Sequence, residues 1–317
     1  MKNFGPNYTR IFSSTGYALT LMVTMCGFTT VGYAATPLPE PGVTEQAPPI
    51  NPLTEKHAHW VFSGAVTTET GESYEYFFQV KRQADQLQSI AYLIDAQSKA
   101  MIYTEEGTTQ LTAELPADNW TIGRTFLRYN AINSSWVFGL DKGNQVGFNF
   151  KVDMLNQGNH KPISQQFRQG VQVAIVQTGQ VNGLIQFKEE EPAQFVTGKK
   201  AWFRQVVLTE AHAQMPEMQG LLCRFDDGSQ LYAMKLLEAD VVRDSLSGLY
   251  NAKGTAVAVS QFIHVEHLTP GPWKIRVPYP KLQFELTDPL QHQSLVMGFM
   301  KDKNKPGFCV ISQDGLG

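Results

Sequence analysis

Four kinds of side chain in this 317-residue sequence stand at spacings that can support chemistry. Aromatic residues cluster as Trp60 with Phe62, Trp202 with Phe203, and Trp273 with Tyr279. Aromatic side chains on alternating strand positions can wall an apolar pocket or fill a core, and Trp60 and Phe62, two apart, share a face. Arg204 shares the face of Trp202 and can cap it by cation–π stacking or meet a ligand carboxylate. The acids in suggestive settings are Glu266, in His264-Val-Glu-His267, and the pair Asp226 and Asp227, which also suits a hairpin turn. His57 and His59 lie on one face of a strand and can offer two metal ligands, or sit on the surface beside a linker. No G-x-S-x-G elbow occurs, since Ser245-Leu-Ser-Gly248 lacks the flanking glycines, and there is no Gly-rich phosphate loop. The expectation is therefore a chain with no cofactor.

The elements that must position these residues have a dominant period of two. His59, Val61 and Ser63 alternate with Trp60, Phe62 and Gly64, and a Thr/Glu/Gly turn leads to the return run Tyr74–Val80. That is a hairpin signature. Similar runs recur at Trp136–Leu140, Val171–Gln177, Gln230–Leu236 and Trp273–Val277. No stretch carries a 3.6-residue apolar stripe; short helices are expected only near Ile163–Gln169 and Glu210–Gln219, where polar residues interrupt the alternation. Many short strands with frequent turn signals make an all-β chain of sandwiches or barrels. They are too numerous for one small barrel, since about eight strands enclose one ligand. The acidic turn Glu189–Pro192 divides them into two antiparallel β-barrels in tandem, 56–190 and 191–317.

The N-terminus has a different composition. Lys2 and Arg10 precede a short apolar run at 16–31, and Gly32-Tyr33-Ala34-Ala35 supplies the small residues a signal peptidase needs. The run is diluted by six threonines and glycines, whereas a membrane span needs about 20 strongly apolar residues. Residues 1–35 are therefore expected to be a cleaved signal peptide. Met25 before Cys26 argues against a lipid-attachment signal, so no stable membrane anchor is expected. Residues 36–55 hold six prolines between Thr36 and Pro52 and read as an extended linker. Export places the product in the periplasm or outside the cell. Removing Lys2 and Arg10 from the 26 basic residues leaves 24 against 29 acidic, a net charge of −5. A mildly acidic chain without basic clusters is a poor nucleic-acid binder. Cys223 and Cys309 remain after cleavage and can form one disulfide or stay as buried thiols.

Four stretches, in order, resemble the AttH and carotenoid 1,2-hydratase (CrtC) family of tandem lipocalin-like proteins. They are His59-Trp-Val-Phe-Ser-Gly64 with its aromatic return strand, Val196-Thr-Gly-Lys-Lys-Ala-Trp-Phe203, Leu221–Leu236 with its Asp-Gly turn, and Trp273 with Val277-Pro-Tyr-Pro280. Together they span residues 59–290. The resemblance implies two lipocalin-like barrels, and an apolar ligand such as a lipid or isoprenoid bound by Trp60, Phe62, Trp202, Arg204, Trp273 and Tyr279. It also implies hydration of a carbon–carbon double bond, which needs a dry carboxylic acid to protonate carbon. Where the family often carries an aspartate after the Trp-Phe pair, this chain has Arg204, which cannot donate that proton. Its opening run also departs from Glu-Trp-Trp-Tyr, with Ala58, His59, Trp60 and Val61 in those places. The expected function is thus binding of an apolar small molecule without catalysis. A hydratase or lyase, with Glu266 as the candidate acid, and a non-catalytic adhesion or assembly factor are the alternatives.

Overall fold

The structure, a computed structural model, describes residues 55–112, 119–140, 147–154, 163–168, 170–208, 216–267, 271–301 and 305–314. The expected signal peptide and the proline-rich stretch up to residue 54 lie outside the described residues. Every described element is a strand, and the strands form two antiparallel sheets. The first sheet begins with β1 (His57–Thr68), β2 (Ser73–Gln83), β3 (Gln86–Asp95), β4 (Met101–Gln110), β5 (Asn119–Ile122) and β6 (Thr125–Asn130). It continues with β7 (Ser135–Leu140), β8 (Gly147–Asp153), β9 (Ile163–Gln166), β10 (Val171–Gln177), β11 (Gln180–Gln186), β12 (Gln194–Lys199) and β13 (Trp202–Leu208). The second sheet opens with β14 (Met218–Phe225), β15 (Gln230–Glu238), β16 (Val241–Tyr250), β17 (Ala256–Val257) and β18 (His264–His267). It ends with β19 (Trp273–Val277), β20 (Leu282–His292), β21 (Leu295–Met300) and β22 (Gly307–Asp314).

The first sheet runs β4-β3-β2-β1-β12-β11-β8-β7-β6-β5, with β13 also paired to β1 and carrying β10 and then β9. Its ends curl round to meet. Thr125 Oγ1 on β6 donates to Ser89 Oγ on β3 at 2.6 Å, and a Cβ on Gly107 of β4 would stand 2.1 Å from the Ile122 carbonyl oxygen of β5. Only a glycine permits that approach, and the result is a nearly closed barrel. The second sheet runs β17-β16-β15-β14-β22-β21-β20-β19-β18 and forms an open half-barrel. Pairing of β12 and β13 with β1, β10 and β11 carries the first sheet past Glu189–Pro192 to Leu208, and the second sheet starts at Met218.

The two sheets stack, and the sequence reflects it. Most of β1 and β2 and the whole of β13 are buried on both faces, whereas β4 keeps the alternating exposure of a strand with one wet face. Strands covered on both sides read as near-continuous apolar runs. One face sends Trp60, Phe62, Tyr76, Phe78 and Phe203 into the barrel, against Trp120, Trp136, Phe138 and Phe150. The other sends Val61, Phe77, Trp202 and Val206 onto Leu222, Tyr232, Met234 and Val310 of the second sheet. A third core, with Leu221, Phe225, Trp273 and Phe284, lines the far face of the second sheet. Cys223 and Cys309 face each other across β14 and β22 and are joined in a disulfide.

The short helix expected over Ile163–Gln169 is not formed. Ile163–Gln166 is strand β9, paired from Ile163↔Ile175 to Gln166↔Gln172. An edge strand needs no apolar outer partner, so its Ser-Gln-Gln run hides the alternation. Of the second expected helix, Met218 and Gln219 belong to β14, and residues 209–215 lie outside the described residues.

Candidate functional site

Alternation along β2 turns Tyr74, Tyr76 and Phe78 into the barrel and Glu75, Phe77 and Gln79 toward the layer between the sheets. Glu75 sits in register with Ala65 of β1 and Ile94 of β3, and only 2% of it is exposed. Arg224, near the end of β14 and on the face of Leu222, reaches across and donates to Glu75 Oε1. Neither group is saturated: Glu75 Oε2 and Arg224 Nε are buried without a hydrogen-bond partner. Burial pushes the Glu75 carboxyl up to about 7; Arg224 pulls it down, and Asp226 adds a further push upward. Desolvation outweighs the ion pair because the carboxylate is stripped of water while only one of its oxygens is compensated.

These groups open onto a cleft of about 440 Å³. Glu75, Arg224, Asp226 and Lys99 supply its charge, and Phe299, Met300 and Pro306 its apolar wall. Lys99 Nζ lies 5.6 Å from the Phe299 ring centroid, over its face. Asp226 is held by its own backbone N–H, which donates to the Pro306 carbonyl at 2.9 Å. Asp227 makes the hairpin turn: its Oδ1 accepts from the Ser229 N–H at 2.7 Å, and Gly228 follows with φ +83°. The cleft is thus an apolar pocket wall with one buried acid, one guanidinium and an ammonium at its mouth. Such a set can hold a polar group and move a proton.

Of the residues singled out from the sequence, Asp226 lines the cleft and the others lie elsewhere. Trp60 and Phe62 are fully buried in the barrel, with the Phe62 ring 4.4 Å from Phe138, 5.0 Å from Phe203 and 5.7 Å from Trp136. Trp202 and Arg204 share a face, as the spacing requires, and it is the face between the sheets. Trp202 Nε1 donates to the Cys223 carbonyl at 3.3 Å, and Arg204 Nη1 donates to Ser312 Oγ at 3.0 Å. Trp273 lies in the far core, stacked flat on His267 at 4.7 Å. Tyr279 is 64% exposed. Glu266 is partly exposed and pairs with Arg276 at 2.7 Å. His59 is buried on β1 and His57 half-buried two residues before it. None of these others lines the cleft. Glu75 was the signal available in the sequence, as the one charge inside an aromatic run, Tyr74-Glu-Tyr-Phe-Phe78.

No protein-family model matches the chain, and no curated protein matches it by sequence. Among solved structures it is similar to an AttH protein from Nitrosomonas europaea, with a TM-score of 0.55 and 13% identity over 81% of this chain and 92% of that one. It is also similar to kievitone hydratase from Nectria haematococca, with a TM-score of 0.57 and 11% identity over 89% of this chain and 95% of that one. At such identities the likeness is one of fold, and the fold is the AttH/CrtC-like tandem of lipocalin-like β-barrels, here a near-barrel packed on a half-barrel.

Proposed function

We propose that this is an exported binding protein for a small molecule with an apolar body and one polar group, taken up in the cleft between β2 and β14. The observation that carries the reading is the unsaturated pair of Glu75 and Arg224 beside the apolar wall of Phe299, Met300 and Pro306. A buried donor and acceptor left without partners are costly, and a ligand that supplies them gains both affinity and orientation. Export rests on the n-region, apolar run and small-residue site within residues 1–35, and the N-terminal sequence of the secreted product should begin at Thr36. Native mass spectrometry of the purified protein should show a co-purifying lipid-like molecule that is lost on Glu75→Ala and Arg224→Ala. Retention of the same molecule by both variants would place the ligand elsewhere.

A second reading is a hydratase or lyase, and the raised carboxyl of Glu75 favours it. An acid that holds its proton near neutral pH can protonate an alkene carbon. The carboxylate so formed can then take a proton from the water that adds to the cation. Incubation with isoprenoid alkenes should then give products heavier by one water, and none with Glu75→Gln.

A further inference from the structure

We propose that the cleft takes up its ligand as a monoanion together with one proton, the ligand's acidic group replacing Glu75 as counterion of Arg224 while Glu75 stays behind as a neutral acid. This rests on the reading of the cleft as a binding site and adds the ligand's charge. Among the described residues, the charged groups around Glu75 are Arg224 on β14, Asp226 just beyond it and Lys99 in the turn between β3 and β4. Glu75 and Asp226 balance Arg224 and Lys99. An anion added to that balanced set would leave one negative charge uncompensated beside a desolvated carboxylate. Protonation of Glu75 removes the excess.

The hydrogen bonding agrees with the charge count. Arg224 Nε–H has no acceptor, and a guanidinium edge binds a carboxylate through two parallel N–H groups. Glu75 Oε2 also lacks a partner and becomes a donor once protonated. Both atoms are buried, so a ligand carboxylate reaches them only by parting the Glu75–Arg224 pair; it can then accept from both residues, which it cannot do while Glu75 is ionised. A neutral polar group would leave the Glu75–Arg224 pair intact and take up no proton. Glu75 loses its own proton near 7, so the competent fraction shrinks just where neutral solutions are made.

The test is calorimetric titration of the full protein with decanoate, which is an anion throughout, and with decanol, its neutral counterpart. If only protein with neutral Glu75 binds the anion, decanoate affinity falls about tenfold between about pH 6 and about pH 8. Titrations in buffers of different ionisation heat should show close to one proton taken up per decanoate at the higher pH, and none with decanol. Glu75→Gln should bind decanoate with no change in affinity between the two pH values. Decanoate binding without pH dependence or proton uptake would overturn the proposal and leave the cleft as a binding site. Binding of decanol alone would overturn the anion assignment, and failure of both probes would overturn the binding reading with it. The wild-type proton count needs no variant to fold.

Discussion

Replacing Glu75 by Gln should make the protein more stable at neutral and alkaline pH, although it removes one partner of an ion pair. In the unfolded chain Glu75 loses its proton near 4.5, and in the folded protein near 7. Between those values the folded state holds the extra proton, so stability falls as pH rises, and the loss is complete only above about 7. The gap corresponds to about 3 kcal/mol against the ionised form. Gln is nearly isosteric and never ionises, so it escapes that penalty. The difference in unfolding free energy between Glu75→Gln and the wild type should therefore grow by about 3 kcal/mol from about pH 4 to about pH 8, in favour of the variant. Titrating groups that do not interact with Glu75 cancel in that difference. Urea titrations have slopes of about 1–3 kcal/mol/M, so the relative midpoint should move by about 1 M or more. A difference flat across this range, or a wild type that gains on the variant as pH rises, would refute the reasoning. It would mean that Arg224 outweighs desolvation and that Glu75 is an ordinary ionised partner.

Three other perturbations probe the frame that holds the cleft. Replacing both Cys223 and Cys309 by Ala opens a cross-link between residues 86 apart and should cost about 4 kcal/mol, seen as a melting temperature about 10 °C lower. Reduction of the wild type should reproduce the shift. Gly107→Ala sets a methyl against the Ile122 carbonyl and should cost about 1–3 kcal/mol in chemical denaturation by forcing the barrel seam apart. Phe62→Ala removes a ring packed against several others and should cost about 3–5 kcal/mol, while Tyr279→Ala, on the surface, should change stability by less than about 0.5 kcal/mol.

Much of the fold is legible in the sequence because strand alternation is a local property. β7, β10, β15 and β19 match runs whose apolar period is two, and the Asp226–Ser229 turn follows from its residue types. What escapes is set by the sheet edges and the joint between sheets. The first residues of β16, Val241, Val242 and Arg243, are exposed, and its Ser-Leu-Ser-Gly stretch carries too few apolar residues to show an alternation by itself. β9 is hidden in the same way by an edge position. That β12 and β13 close against β1 rather than opening the second sheet depends on pairings across more than a hundred residues, for which no local pattern exists.

The candidate site is illegible for a sharper reason. Residue types alone favour the aromatic clusters, and alternation does place Trp60 and Phe62 on a buried face, but that face is a barrel interior where rings meet rings. The same alternation assigns Glu75 to the opposite face of β2, which in an isolated hairpin would be wet and unremarked. Docking of the second sheet buries that face, and Arg224, the partner that makes the burial tolerable, is 149 residues away in the chain. A charge left in such a layer must be paired across the joint, or neutralised, or answered by a ligand. Glu75 is half paired and held near neutrality by its burial, so it meets the first two conditions only in part. The third is what the proposed ligand would supply, by bonding to the unpaired oxygen and the unpaired guanidinium nitrogen beside the cleft.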